Sequence, residues 1–254
     1  MTAVPSKSAE SVRRVELCAG VGALFTSRYG GQSRDPYGEL NLSLLVGEDP
    51  EVVRANRAEV LGAVVAIAPG PVRLAAMRQV HGAEVAYAVK QGGGAEPVAD
   101  AIFADSPDVA LVVLAADCVP VLLADPVARL VGAAHAGRPG LAAGVVPALV
   151  AAMTKAGADP ARMQAVVGPS VCGACYEVPA QMRDEVAAVV PASWCVTRKG
   201  TPGLDLRAGL HAQLAVVGVS VTDDGRCTAE STELYSYRRD GKTGRFAGVI
   251  WLAS

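Results

Sequence analysis

Residues 108–135, DVALVVLAADCVPVLLADPVARLVGAAH, decide how this chain is read. They hold three apolar runs of strand length, 108–117, 119–125 and 128–135, punctuated by Asp117 and by Asp125-Pro126. The whole chain agrees with sheet building from small residues. Hydrophobic residues are 51% of the 254 and aromatics only 4%, so Val, Ala and Leu make the core. That composition suits parallel or mixed sheets covered by Ala-rich helices. The fold class expected is therefore α/β (α+β) with mixed sheets.

Upstream, DPEVVRANRAEVLGAVV (49–65) predicts a helix, with Asp49 as cap, Pro50 at the first position and Val53, Val60 and Val64 on one face. VELCAGVGALFTSR (15–28) reads as strand bent at Gly20 and Gly22, residues 28–43 as a long loop, and 91–97 as a flexible one. RLAAMRQVHGAEVAYAV (73–89) reads as two strands joined through Val80-His81-Gly82. Downstream, 138–157 predicts a helix with Pro139 in its first turn, a kink at Pro147 and an end at Gly157. Residues 165–178 read as strand, turn and loop, and 179–190 and 204–219 as helices, the second after a short strand or cap. YSYR and FAGVIWL predict a C-terminal hairpin turning at Asp240-Gly241. No linker or repeat appears, so one domain is expected over 1–254, with residues 1–12 as a frayed tail.

A net charge of −2 gives no reason to expect a nucleic-acid partner. The longest apolar stretch is interrupted by Asp117, Asp125 and Arg129, which excludes a membrane span there. The N-terminus lacks the apolar region of a signal peptide, so a cytoplasmic location is expected, with the six cysteines reduced. The sequence carries no signal for an oligomeric state.

Three residues can meet. His81 lies in a turn between strands, Cys118 follows the run 108–117, and His135 ends the run 128–135. Two imidazoles and a thiolate form a reasonable zinc set, and three protein ligands leave a position open for water or substrate. Asp117 is placed to orient a ligating imidazole. A cysteine in an apolar run also serves as a packing group, so from spacing alone both readings stand. His211, within GLHAQL, reads as a boundary residue of a helix.

QVHG (79–82), ADCVP (116–120) and HAG (135–137) resemble the three motifs of the YfiH-type laccase-domain family, described as polyphenol oxidases and as zinc-containing purine nucleoside phosphorylases. The resemblance extends to 30–57, to GPSVCGACYEV (168–178) and to 227–252. It implies layered mixed sheets packed face to face with helices outside, and Zn2+ (with Cu2+ as an in-vitro substitute) held by His81, Cys118 and His135. It also implies a purine nucleoside and phosphate as substrates, with adenosine deamination and methylthioadenosine phosphorolysis as related activities. Asp117, Cys118 and His135 are the expected catalytic group, and Asn41, Gly137 and Arg138 the expected substrate contacts. Asp117, Glu177 and Asp205 are candidate proton donors, and Arg238 and Arg239 candidate substrate contacts. One departure stands out. The family's His-Ala-Gly-Trp-Arg-Gly is here His135-Ala136-Gly137-Arg138-Pro139-Gly140, so Arg138 is the available substitute for the family's arginine. The helix expected from Gly137–Gly140 would offer its N-terminus to phosphate.

Two other readings compete. Cys118 can be the nucleophile of a hydrolase, for example one editing peptidoglycan precursors, with His81 or His135 as base. Alternatively the chain is a non-catalytic, zinc-stabilised binding protein. A true multicopper oxidase is excluded by ligand supply, since the chain has three histidines. Cys172-Gly-Ala-Cys175 has redox-motif spacing without the βαβ context and reads as packing. Gly241-Lys242-Thr243 lacks the earlier glycine and the helix of a phosphate loop.

Overall fold

The three central apolar runs form strands whose every residue is buried, because each lies in a sheet covered on both faces. The computed structural model describes residues 11–68, 70–88 and 95–253. In chain order its elements are β1 (Val12–Val15), β2 (Val21–Thr26), α1 (Pro50–Val65), β3 (Arg73–Ala75), β4 (Val85–Tyr87), β5 (Ala101–Ala104), β6 (Val109–Ala115), β7 (Val119–Asp125), β8 (Leu130–Ala136), α2 (Arg138–Ala143), α3 (Val145–Lys155), β9 (Gln164–Val167), α4 (Ala180–Val189), β10 (Trp194–Val196), β11 (Pro202–Leu204), α5 (Leu206–Val216), β12 (Ser220–Asp223), the single turn α6 (Tyr237–Asp240) and β13 (Phe246–Leu252).

One sheet runs β1-β2-β13-β6-β3 and a second runs β12-β9-β7-β8-β5-β4; β10 and β11 form a ribbon. Both large sheets are mixed: β3 joins β6 in parallel, and β4 joins β5 in parallel, while the central pairs are antiparallel. Strand alternation sorts the side chains into layers. Leu111 and Val113 of β6 and Ile250 of β13 meet Leu122, Ala124, Val131 and Ala133 between the sheets. The opposite face of β7 and β8, with Val121, Leu123 and Ala134, packs on Leu141, Leu149 and Leu210 of the helices. The outer face of the first sheet, with Val112, Leu114 and Trp251, packs against Val60 and Val64 of α1. The layers are thus helix, sheet, sheet, helix, as expected.

α1 begins as the sequence predicts. Asp49 accepts from the Glu51 N–H at 2.9 Å, and Pro50 needs no acceptor. Three expectations change. The 138–157 helix breaks at Gly144, which takes a left-handed φ of 76°, and not at Pro147. Pro147 sits in the first turn of α3, where its missing N–H costs nothing. The C-terminal hairpin does not form. Ser236 caps the turn α6, which takes up Tyr237–Asp240, and β13 pairs instead with β2 and β6. Of the tail, residues 1–10 lie outside the described residues, but Val12 already pairs with Thr26 in β1. The 91–97 loop falls largely outside them too. No helix among the described residues is long and apolar enough to cross a membrane.

Candidate metal-binding site

The site forms where β6 hands over to β7 and where β8 ends. Val119 pairs with Ala136 and Pro120 with His135, so the register of β7 and β8 sets Cys118 beside the end of β8. His135 shares the strand alternation of Val131 and Ala133, which turns it toward the space between the sheets. The third residue, His81, is on the turn between β3 and β4 with φ 64°, unusual for a residue with a side chain. Gln79 fixes that turn to β6, donating to the Leu114 carbonyl and accepting from its N–H, both at 2.8 Å.

Asp100 organises the rest. Its fully buried carboxylate accepts from the backbone N–H groups of Val80, His81 and Gly82 at 3.0, 2.9 and 2.7 Å. It also meets His135 Nδ1 at 2.8 Å. One side chain therefore holds the left-handed His81 turn and fixes the His135 ring, leaving Nε2 of His135 for the site. Sequence reasoning gave that orienting role to Asp117, and the structure reassigns it. Asp117 instead accepts from Thr228 Oγ1 and Ser236 Oγ at 2.6 Å and from the Arg238 N–H at 2.5 Å. Asp100 lies in a segment with no motif of its own, and only the pairing of β5 with β8 brings it under His135.

His81, Cys118 and His135 offer donor atoms that all lie within 4.8 Å of one another, a set able to hold a metal ion. Cys118 Sγ is 3.7 Å from His81 Nε2, and the two imidazoles meet edge to face with centroids 4.8 Å apart. Burial works against the Cys118 thiolate, but the charge of His135 and hydrogen bonds from both imidazoles bring the thiol down to about 6. Burial likewise works against the His135 imidazolium. The Cys118 charge and the Asp100 hydrogen bond overcome it, raising His135 to about 9. Each of the two thus favours the charged form of the other. Gly137 closes the site: a Cβ there would lie 2.7 Å from His81 Cδ2 and 3.0 Å from Cys118 Sγ.

All three donors line a cavity of about 510 Å3. Its lining also includes Arg57, Arg138, Arg238 and Arg245, with the apolar Leu44, Leu45 and Val46. Arg57 pairs with Glu96 at 2.6 Å, and Arg245 donates to the carbonyls of Thr243 and Gly244. Arg238 lies over the Tyr176 ring at 5.1 Å. Arg138 thus reaches the cavity from the position where the family has tryptophan, while Pro139 is exposed. The phosphate reading loses its long helix, because α2 is six residues. Asn41, expected as a substrate contact, does not line the cavity. It is fully buried; its amide donates to Ser43 O and Glu48, and its oxygen accepts from the Ser43 and Arg245 N–H groups. Glu177 is exposed away from the cavity, and Asp205 caps α5. Arg239 clamps its own loop, donating to the carbonyls of Thr228, Ser231 and Leu234.

Residues 22–253 match the family described as multi-copper polyphenol oxidoreductase laccase. A purine nucleoside phosphorylase of Streptomyces coelicolor is 55% identical over 231 residues, covering 90% of this chain and 94% of that protein. One from Deinococcus radiodurans is 40% identical, covering 90% and 88%. Among solved structures, a Neisseria meningitidis protein superposes with a TM-score of 0.87 at 36% identity, covering 96% of this chain and 100% of that one. Bacillus licheniformis YfiH superposes with a TM-score of 0.85 at 28% identity, covering 96% and 97%.

Proposed function

The chain belongs to the laccase-domain family, and from that premise we propose that it is a zinc-dependent purine nucleoside phosphorylase of the cytoplasm. The observation that carries the reading is the three-donor cluster opening onto a cavity edged by arginines. Two imidazoles and a thiolate suit zinc, and three ligands leave a place for substrate. Copper can occupy the same donors in vitro, but three histidines cannot build a multicopper cluster. When bound, zinc supplies Lewis acidity and acidifies a coordinated water.

The protein's own groups do the positioning. Arg138, whose guanidinium makes no ion pair among the described residues, and Arg238 bind the phosphate dianion. The purine lies against Leu44, Leu45 and Val46. With three hydrogen bonds on its oxygens, Asp117 acts as an anchor for the Arg238 turn, and not as the acid. A phosphate oxygen bonds to C1′ as the C1′–N9 bond breaks, the electron pair passes to N9, and the attacking hydrogen phosphate supplies the proton the base needs. Methylthioadenosine undergoes the same step. Adenosine deamination places water at C6 in the same cavity, with ammonia as the leaving product.

A second reading rests on one observation. Cys118 beside His81 Nε2, with His135 paired to Asp100, also has the geometry of an activated cysteine. Inosine or adenosine incubated with and without phosphate, with products followed by mass spectrometry, tests the proposal. Phosphate-dependent hypoxanthine or adenine with ribose 1-phosphate is expected, falling to background in Cys118→Ala. Untouched nucleosides in every condition would overturn it.

A further inference from the structure

We propose that Cys172, Cys175, Cys227 and Glu230 form a second metal site, taking a zinc ion as a closed structural centre. Their ligand atoms all lie within 4.8 Å of one another, and none of the four residues lines the cavity of the first site. A tetrahedron of Zn–S bonds of about 2.3 Å separates its corners by roughly 3.8 Å, so the four groups need only a small contraction to close on an ion.

The backbone is arranged for this in two matching turns. Cys172 and Cys175 stand three residues apart on a turn in which the N–H groups of Cys175 and Tyr176 donate to the Cys172 carbonyl at 2.9 and 3.0 Å. Cys227 and Glu230 repeat the spacing, with the N–H groups of Glu230 and Ser231 donating to the Cys227 carbonyl at 3.2 and 2.9 Å. Each turn thus presents two donors. A parallel bridge between Ser170 and Cys227 joins the two turns, and Arg207 braces it by donating to Ser170 Oγ and O, each at 2.6 Å. The Cys172 N–H points at Cys227 Sγ from 3.4 Å, the kind of contact that supports a metal-bound thiolate. Glu230, facing Cys175 Sγ at 3.5 Å, is held by Arg198 at 2.5 Å and is exposed enough to admit an ion.

Three sulfurs and one carboxylate suit zinc over calcium or magnesium, which prefer oxygen donors. Four protein ligands make a closed site, in contrast to the three around Cys118. The ion would staple loop 168–178, which carries Val171 and Tyr176 of the cavity, to loop 224–239, which carries Thr228, Ser236 and Arg238.

Cobalt(II) uptake by metal-stripped Cys118→Ala tests the site with the first cluster disabled. The expected result is thiolate-to-cobalt charge-transfer absorption saturating at one equivalent, with the intensity of three thiolates. In the unaltered chain, peptide mapping after iodoacetamide treatment should show Cys172, Cys175 and Cys227 protected by zinc. The proposal is overturned if Cys118→Ala gives no such absorption, if the three thiols alkylate equally with and without zinc, or if the protein carries a Cys172–Cys175 disulfide. None of these outcomes depends on nucleoside turnover.

Discussion

His81, Cys118 and His135 stand at strand ends and on a turn locked to a sheet, whereas Cys172, Cys175, Cys227 and Glu230 stand on two loops joined by one β-bridge. The first cluster has three donors beside a cavity, a buried carboxylate behind its histidines and a glycine against its ligands. The second has four donors and no cavity of its own among those described. Rigid backing with an open position is what chemistry on a bound substrate needs. Four ligands that leave no position open are what a structural ion needs.

The comparison is broken most severely at Asp100. Asp100→Asn keeps the shape but removes the charge that orients His135 and anchors the His81 turn. Phosphorolysis should fall about 10–100-fold, the range for outer partners of metal ligands, while cobalt binding by the cysteine-rich loops is unchanged. Equal loss at both clusters would show that Asp100 acts through global stability. Gly137→Ala should come next. Its Cβ would push His81 and Cys118 apart, so zinc affinity measured by competition with a chelating dye should drop at the first cluster alone.

Smaller effects separate substrate from metal. Arg138→Ala should raise KM for phosphate about tenfold, the loss of one charge-assisted contact, with zinc content intact. Steady-state kinetics against metal analysis checks this. The pH dependence is subtler still. In metal-stripped protein, alkylation of Cys118 should rise through a midpoint near pH 6, where an ordinary cysteine would wait for 9.0. Asp100→Asn should move that midpoint up: without the carboxylate His135 gives up its proton more easily, and the thiolate loses its partner.

What the sequence disclosed follows the range of the forces involved. β6, β7 and β8 were legible because burial on both faces writes unbroken apolar runs, and α1 because Asp49 and Pro50 mark its start. The three donors were legible because each sits in a short motif. Asp100 was not, since its partners are set by the β5–β8 pairing and by a turn some twenty residues upstream. The expected hairpin at Asp240-Gly241 failed because Asp117 and the carbonyls of Thr228 and Ser231 hold Arg238 and Arg239 in a helical turn from outside the local sequence. The kink moved from Pro147 to Gly144 because a proline in a first turn breaks nothing, whereas glycine readily takes the left-handed φ. Cys172-Gly-Ala-Cys175 read as packing for want of a βαβ context, and its neighbours Cys227 and Glu230 lie 55 residues further on, beyond the reach of a local motif.

The central claim is that His81, Cys118 and His135 hold the ion that phosphorolysis requires. The most direct measurement is zinc titration into metal-stripped protein, following ribose 1-phosphate formed from inosine. Activity should be absent at the start, return in proportion to zinc bound at the first cluster, and never return in Cys118→Ala. Full turnover by the metal-stripped protein, abolished by alkylation of Cys118, would contradict the claim and make that cysteine the nucleophile.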